Sequence, residues 1–249
     1  MLESFRKRRE LAILAHMKNS APFKAVIYDV DGTMVDSEPL HVSAWDRALQ
    51  SYGHKLVDLS EEFRATMAGK KPIAIAAGMI EELHLSVGAE EFLSKKATLF
   101  MELVATDLQG MPGVVESIKR FDNKGFLLGI GTSLDRNYIN IVLEKLNVRD
   151  YFKVIVTGDE IKNGKPHPDT YLTVAQKLDV KPQECIVLED AKSGIQSAKA
   201  AGCYCIAIEN PNALPQDTSQ ADTVVKSLND ITDDLLARIK LAYITINVI

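Results

Sequence analysis

From residue 22 onward the hydrophobic and polar positions fall into two alternating patterns. Short, continuously apolar runs predict strands at 24–30 (KAVIYDV), 126–131 (FLLGIG), 153–158 (KVIVTG), 185–190 (CIVLED) and 203–208 (CYCIAI), with a weaker one at 222–225 (DTVV). Between them, the segments 112–125, 134–148, 168–180 and 193–202 repeat apolar residues every three or four positions and predict helices, with Gly125 and Gly202 placed where a helix should stop. Runs that are apolar throughout suit a parallel sheet covered on both faces. The alternation of β and α units predicts an α/β fold with a doubly wound parallel-sheet core.

One region breaks the alternation. From 37 to 108 there is no strand run, only helical patterns at 38–53, 60–69, 72–83 and 89–108, and the chain returns through the turn-like GMPG at 110–113. The expected organisation is an N-terminal extension (1–21), an α/β core (22–36 and 111–249) and an inserted all-helical subdomain (37–110).

Composition narrows the function. The chain has 249 residues, 46% hydrophobic and 25% charged, an ordinary globular balance. A net charge of −5 lacks the basic footprint of a nucleic-acid binder, and no apolar run approaches the ~20 residues a membrane span needs, so neither partner is expected. Cys185, Cys203 and Cys205 have no metal or redox spacing; a sparse, odd count of small buried residues fits a reducing, cytoplasmic setting. The opening MLESFRKRRELAILAHMKNS has basic residues and a short apolar stretch but no A-x-A site. It reads as a short amphipathic helix outside the core, or an added extension, rather than a signal peptide. The apolar tail LAYITINVI receives no role.

In an open parallel sheet, ligands bind beyond the carboxyl ends of the strands. There the first strand delivers Asp29 and Asp31, the second Thr132 and Ser133, and the fourth Glu189 and Asp190; NGKPHPD after the third offers Lys165. Each has a bland reading alone: an aspartate turn, a helix N-cap at Thr132, a solvated lysine, a capping pair. Together they put four acids on one rim, and carboxylates that close repel unless a cation or shared proton relieves them. A hard divalent ion with oxygen ligands does so, and Mg²⁺ is the natural choice where a phosphate shares the site.

These residues resemble the haloacid dehalogenase superfamily in its phosphatase and phosphomutase branch. DVDGT (29–33), GTS (131–133), GKPHPD (164–169) and LEDAKSGI (188–195) resemble its four motifs in order, and the resemblance covers about 22–240. The helical insert after the first motif, and DSEPLH followed by AW (36–45), resemble the small helical cap subclass typified by β-phosphoglucomutase and many sugar-phosphate phosphatases. The resemblance implies that Asp29 is a nucleophile forming a phosphoaspartate and that Asp31 is the acid and then the base. It implies that Thr132 donates to a phosphoryl oxygen, with Gly32 and Ser133 beside it, and that Lys165 neutralises charge. Mg²⁺ would sit on Asp29, the Asp31 carbonyl, Glu189 and Asp190.

Asp31 and the Glu189–Asp190 pair argue against true dehalogenase chemistry, which needs no metal. An imine-forming phosphonate hydrolase would need a cap lysine, for which only Lys70 and Lys71 stand near the expected turn. GIGTSL lacks the third glycine of a dinucleotide fingerprint. His41 falls where the mutase has a hinge histidine; the cap loop MAGKKPIA has no arginine to grip a second phosphate, and only Lys70 and Lys71 could substitute, so His41, Lys70 and Lys71 are the cap's substrate-binding candidates beside Gly32 and Ser133 of the core. The expectation is therefore a Mg²⁺-dependent phosphatase of a small phosphorylated metabolite, acting as a monomer or weak dimer. A phosphosugar mutase is the alternative, and a non-catalytic phosphometabolite-binding protein a lesser one.

Overall fold

The computed structural model describes residues 22–67 and 70–247, with side chains to Thr245. The expected N-terminal extension, the end of the 60–69 segment and the last two residues of the apolar tail lie outside the described residues. Strand β1 (Ala25–Tyr28) leads into a short β2 (Val35–Asp36), then into four helices: α1 (Glu38–Gln50), α2 (Glu61–Thr66), α3 (Pro72–Glu82) and α4 (Ala89–Asp107). The chain returns through β3 (Gln109–Gly110) and α5 (Val114–Asn123) to β4 (Leu127–Gly131) and α6 (Arg136–Leu146). Next come β5 (Phe152–Val156), α7 (Asp169–Lys177), β6 (Cys185–Glu189), α8 (Lys192–Ala200), β7 (Tyr204–Ile208), β8 (Thr223–Val225) and α9 (Asp233–Asn247).

The six long-range strands form one parallel sheet in the order β5-β4-β1-β6-β7-β8. The period-two geometry of a strand divides β1 between two cores. Ala25 and Ile27 pack with Val187, Tyr171 and Ile195 on one face, and Val26 and Tyr28 with Ile118 and Phe121 on the other. Burying a side chain the size of Ile27 contributes about 1.5–3 kcal/mol, so continuous apolar runs are what a sheet covered on both sides requires. Register then positions the chemistry. Tyr28 lies opposite both Ile130 and Leu188, so the residues that follow in β1, β4 and β6 emerge side by side at the switch point of the sheet.

The four helices after β2 have their own small core of Trp45, Leu49, Ile75, Met79 and Phe92, while Leu40, Ala44, Leu103 and Val104 join the main core. Two elements lay outside the sequence reading. β2 pairs antiparallel with β3, forming a two-stranded ribbon where the chain leaves and re-enters the α/β core. The described part of the apolar tail forms the end of α9: just before it Ile239 enters the main core, and within it the Tyr243 ring lies 4.7 Å from that of Phe23.

Candidate active site

Asp29 begins at the tip of β1, where its N–H donates to the Leu188 carbonyl at 3.0 Å. Lys165, on the loop after β5, donates to Asp29 Oδ1 at 2.5 Å and to Glu189 Oε1 at 2.7 Å, with its Nζ 4.8 Å from the centre of the Tyr171 ring. The Tyr171 hydroxyl donates to the same Glu189 oxygen at 2.6 Å, and Glu189 Oε2 accepts the Asp190 and Ala191 N–H groups at 3.1 Å each. Glu189 thus fixes the loop that presents Asp190. Asp190 fits because residue 32 is glycine: φ is +77° there, and a Cβ would lie 2.0 Å from Asp190 Oδ2. Gly194 similarly leaves room for Glu189, since its Cβ would lie 1.6 Å from Oε1.

At the end of β4, Thr132 donates its N–H to the Val156 carbonyl at 3.1 Å, while its Oγ1 accepts the Leu134 N–H at 3.2 Å. It does not cap the following helix. That role belongs to Asp135, whose Oδ1 accepts the N–H groups of Asn137 and Tyr138. Thr132 therefore does not act as the N-cap, and it lines a cavity of about 180 Å³ together with Asp29, Asp31, Ser133, Lys165 and Glu189.

The electrostatics of the rim suit a cation. Burial raises Asp29 well above the usual carboxylate range; Lys165 opposes that rise, and the neighbouring Glu189 and Asp190 charges add to it. Burial, reinforced by Glu189, pushes Asp190 up to about 7. Burial also works against the charge on Lys165, but Asp29 and Glu189 outweigh it and raise its pKa. One lysine does not balance the rim. Asp29, Glu189 and Asp190 each offer an oxygen within 4.8 Å of the others, a buried all-oxygen set that fits a hard divalent cation such as Mg²⁺.

Of the residues expected from sequence, Asp29, Asp31, Thr132, Ser133, Lys165 and Glu189 line one cavity, with Asp190 and Gly32 adjoining it. His41, Lys70 and Lys71 do not. Lys70 donates to Thr66 Oγ1 at 2.8 Å and lies over the Phe63 ring; Lys71 is exposed at the start of α3. His41 sits in the seam between the helical subdomain and the core, its ring stacked 4.0 Å from Phe100.

Sequence reading overlooked three residues here. Lys96 of α4, only 7% exposed, lies 2.7 Å from His41 Nδ1 and over the rings of Trp45 and Phe100. Its signal was periodicity: Phe92, Lys96, Leu99 and Leu103 share one helix face, and a lysine on an apolar face calls for a reason. Burial lowers Lys96 to about 8 and His41 to about 4, so near neutral pH an ammonium faces an uncharged imidazole. Tyr171 and Tyr138 were read only as apolar helix positions. Tyr138 donates to Asp31 Oδ1 at 2.8 Å, in opposition to the burial that raises the Asp31 pKa.

Residues 26–208 match the family model of the haloacid dehalogenase-like hydrolases. The phosphorylated carbohydrates phosphatase of Thermotoga maritima is 35% identical across 72% of this chain and 82% of its own. The phosphoglycolate phosphatase of Escherichia coli is 28% identical across 86% of this chain and 93% of its own. A solved T. maritima structure, provisionally named a β-phosphoglucomutase, matches with a TM-score of 0.76 at 30% identity, covering 86% of this chain and 98% of that one. On motif order, fold and likeness together, the chain belongs to the haloacid dehalogenase-like hydrolase family, in its phosphatase and phosphomutase branch.

Proposed function

We propose that this phosphoric monoester hydrolase is a Mg²⁺-dependent phosphatase that cleaves a small phosphorylated metabolite, a sugar phosphate or similar monoester, through a phosphoaspartate at Asp29. The observation that carries the reading is the buried Lys165 Nζ, 2.5 Å from Asp29 Oδ1 at the centre of the acidic set. In that pairing the lysine orients one oxygen and leaves the other for attack on phosphorus, splitting one difficult displacement into two easier ones.

Asp31, two residues on, gives a proton to the leaving alcohol and then takes one from the water that hydrolyses the phosphoaspartate. Thr132 and Ser133 donate to the phosphoryl oxygens, with the amino end of α6 behind them. Lys165 offsets the charge of nucleophile and phosphoryl group. Asp29, Asp190 and the Asp31 carbonyl would hold Mg²⁺, with Glu189 completing the anionic set. When bound, the ion supplies further neutralisation of the phosphoryl charge, which is most of what phosphoryl transfer demands.

The phosphorylated carbohydrates phosphatase relative supports a sugar-phosphate substrate, and the phosphoglycolate relative widens the candidates to small acids. The structural likeness to a protein named a mutase supports the second reading, phosphosugar isomerisation. Lys70 is bound to Thr66 and Lys71 is exposed, which favours the phosphatase because neither cap lysine is held at the cavity for a second phosphate. The test is Mg²⁺-dependent phosphate release from a panel of phosphorylated sugars, polyols and glycolate. Interconversion of glucose 1- and 6-phosphates without net release would overturn the choice.

A further inference from the structure

We infer that Tyr138 is a positioning residue for Asp31: its hydroxyl donates to Asp31 Oδ1 at 2.8 Å while its ring lies face to face with Phe100 of the helical subdomain. This role rests on the phosphatase reading, in which Asp31 is the acid and base.

The phenol has two independent constraints. Its backbone is fixed in the first turn of α6, where the Tyr138 N–H donates to the N-cap Asp135 at 3.0 Å. Its ring is nearly parallel to Phe100 at a centroid distance of 6.0 Å, and Phe100 is itself parallel to His41 at 4.0 Å. A backbone carbonyl would satisfy a buried tyrosine hydroxyl as well as any acceptor. Here the hydroxyl is spent on a carboxylate 107 positions away, in the catalytic cavity.

The hydrogen-bond count gives the contact a consequence. A tyrosine O–H donating to Oδ1 makes that oxygen the poorer place for a proton and so favours the transferable proton of Asp31 on Oδ2. In the first half-reaction the Oδ2–H bond breaks and its proton passes to the leaving oxygen, which keeps the electron pair of the broken P–O bond. In the second, Oδ2 takes a proton from water as the water oxygen bonds to phosphorus and the Asp29 oxygen departs with its electron pair. Tyr138 keeps its own proton throughout. Without its hydroxyl, the carboxyl group turns more freely about a broad sp³–sp² torsion and places the proton on either oxygen.

A positioning role must show where proton delivery matters and vanish where it does not. Tyr138→Phe keeps the stacked ring and removes only the hydroxyl. Its kcat/KM, which reports the steps through aspartate phosphorylation, should fall about 10–100-fold on phenyl phosphate, whose leaving group needs the proton. On 2,4-dinitrophenyl phosphate, whose leaving group departs unaided, it should fall less than about threefold. Phe100→Leu keeps the hydroxyl but removes the stack, and should repeat the same leaving-group pattern at smaller size. Asp31→Ala should show it at larger size. Equal losses on both esters, or no loss on phenyl phosphate, overturn the role of Tyr138 while leaving the phosphatase reading intact. A wild-type enzyme that hydrolyses neither ester overturns that reading and this role with it.

Discussion

The acidic rim and the seam between helical subdomain and core each bury a lysine, and the two lysines respond in opposite ways. The Lys165 side chain is 6% exposed, and Lys96 as a whole residue is 7% exposed. Lys165 touches two carboxylates and its pKa rises; Lys96 meets a neutral imidazole and two ring faces, with Glu38 and Asp31 acting only as nearby charges, and its pKa falls to about 8. Desolvation penalises both ammonium groups. What differs is whether the partner carries a full negative charge, and that decides the sign. The rim is built to hold charge, whereas the seam is built to hold shape.

The comparison is sharpest in catalysis. Asp29→Asn removes the proposed nucleophile, so hydrolysis of p-nitrophenyl phosphate should fall by at least about 10⁴-fold, and a variant retaining a tenth of the activity would remove Asp29 from that role. Stability comes next. Lys165→Met leaves Asp29 and Glu189 buried without a counter-charge and should cost about 3–5 kcal/mol in urea denaturation without Mg²⁺. Lys96→Met gives up only a neutral acceptor and two ring contacts, and should stay within about 1 kcal/mol of the parent. Equal losses would erase the contrast.

Metal linkage gives a smaller effect. At a hundredfold excess over its Kd, Mg²⁺ should stabilise the protein by about 2.7 kcal/mol and raise Tm by about 5–10 °C, a shift that Asp190→Asn abolishes. The pH dependence has a definite sign. Asp190 has a folded pKa raised to about 7, so it favours folding fully below its ordinary carboxylate pKa, and that contribution is lost as pH rises through 7. For this group, metal-free protein should therefore gain stability on acidification from pH 8 to 5, while Mg²⁺ binding weakens over the same interval. Smallest is a purely spectroscopic effect: NMR titration should find Lys96 near 8 and His41 near 4, and a Lys96 value above 10 would dissolve the distinction between the two lysines.

Most of the rim was legible in the sequence because strand ends and turn residues are local features. An apolar run ending in DVDGT or LED fixes where an acid emerges, and parallel pairing brings those ends together. The seam was not legible, because its contacts join positions far apart in the chain: Lys96 to His41 and Tyr138 to Asp31 cross from one helix to another or from helix to strand tip. Tyrosines 138 and 171 were hidden by their own amphipathic character, since helical periodicity records the ring and says nothing of the hydroxyl. The β2–β3 ribbon escaped notice because two-residue strands leave no periodicity to read. The apolar tail was opaque for another reason: without its partners Phe23 and Tyr204 in view, nothing distinguishes a docked helix from loose hydrophobic sequence.

That ribbon also determines which contacts are durable. Because Val35–Asp36 and Gln109–Gly110 are zipped to each other, and Met111 is bonded to Met34, the outgoing and returning chains form a single strap rather than two loose tethers. Helices α1 and α4, which join its two strands at the same end, are obliged to travel as a pair. A tilt of that pair would carry His41, Lys96 and Phe100 together as one rigid wedge and part the molecule along a single plane, between the phenyl ring of Phe100 and the phenol of Tyr138.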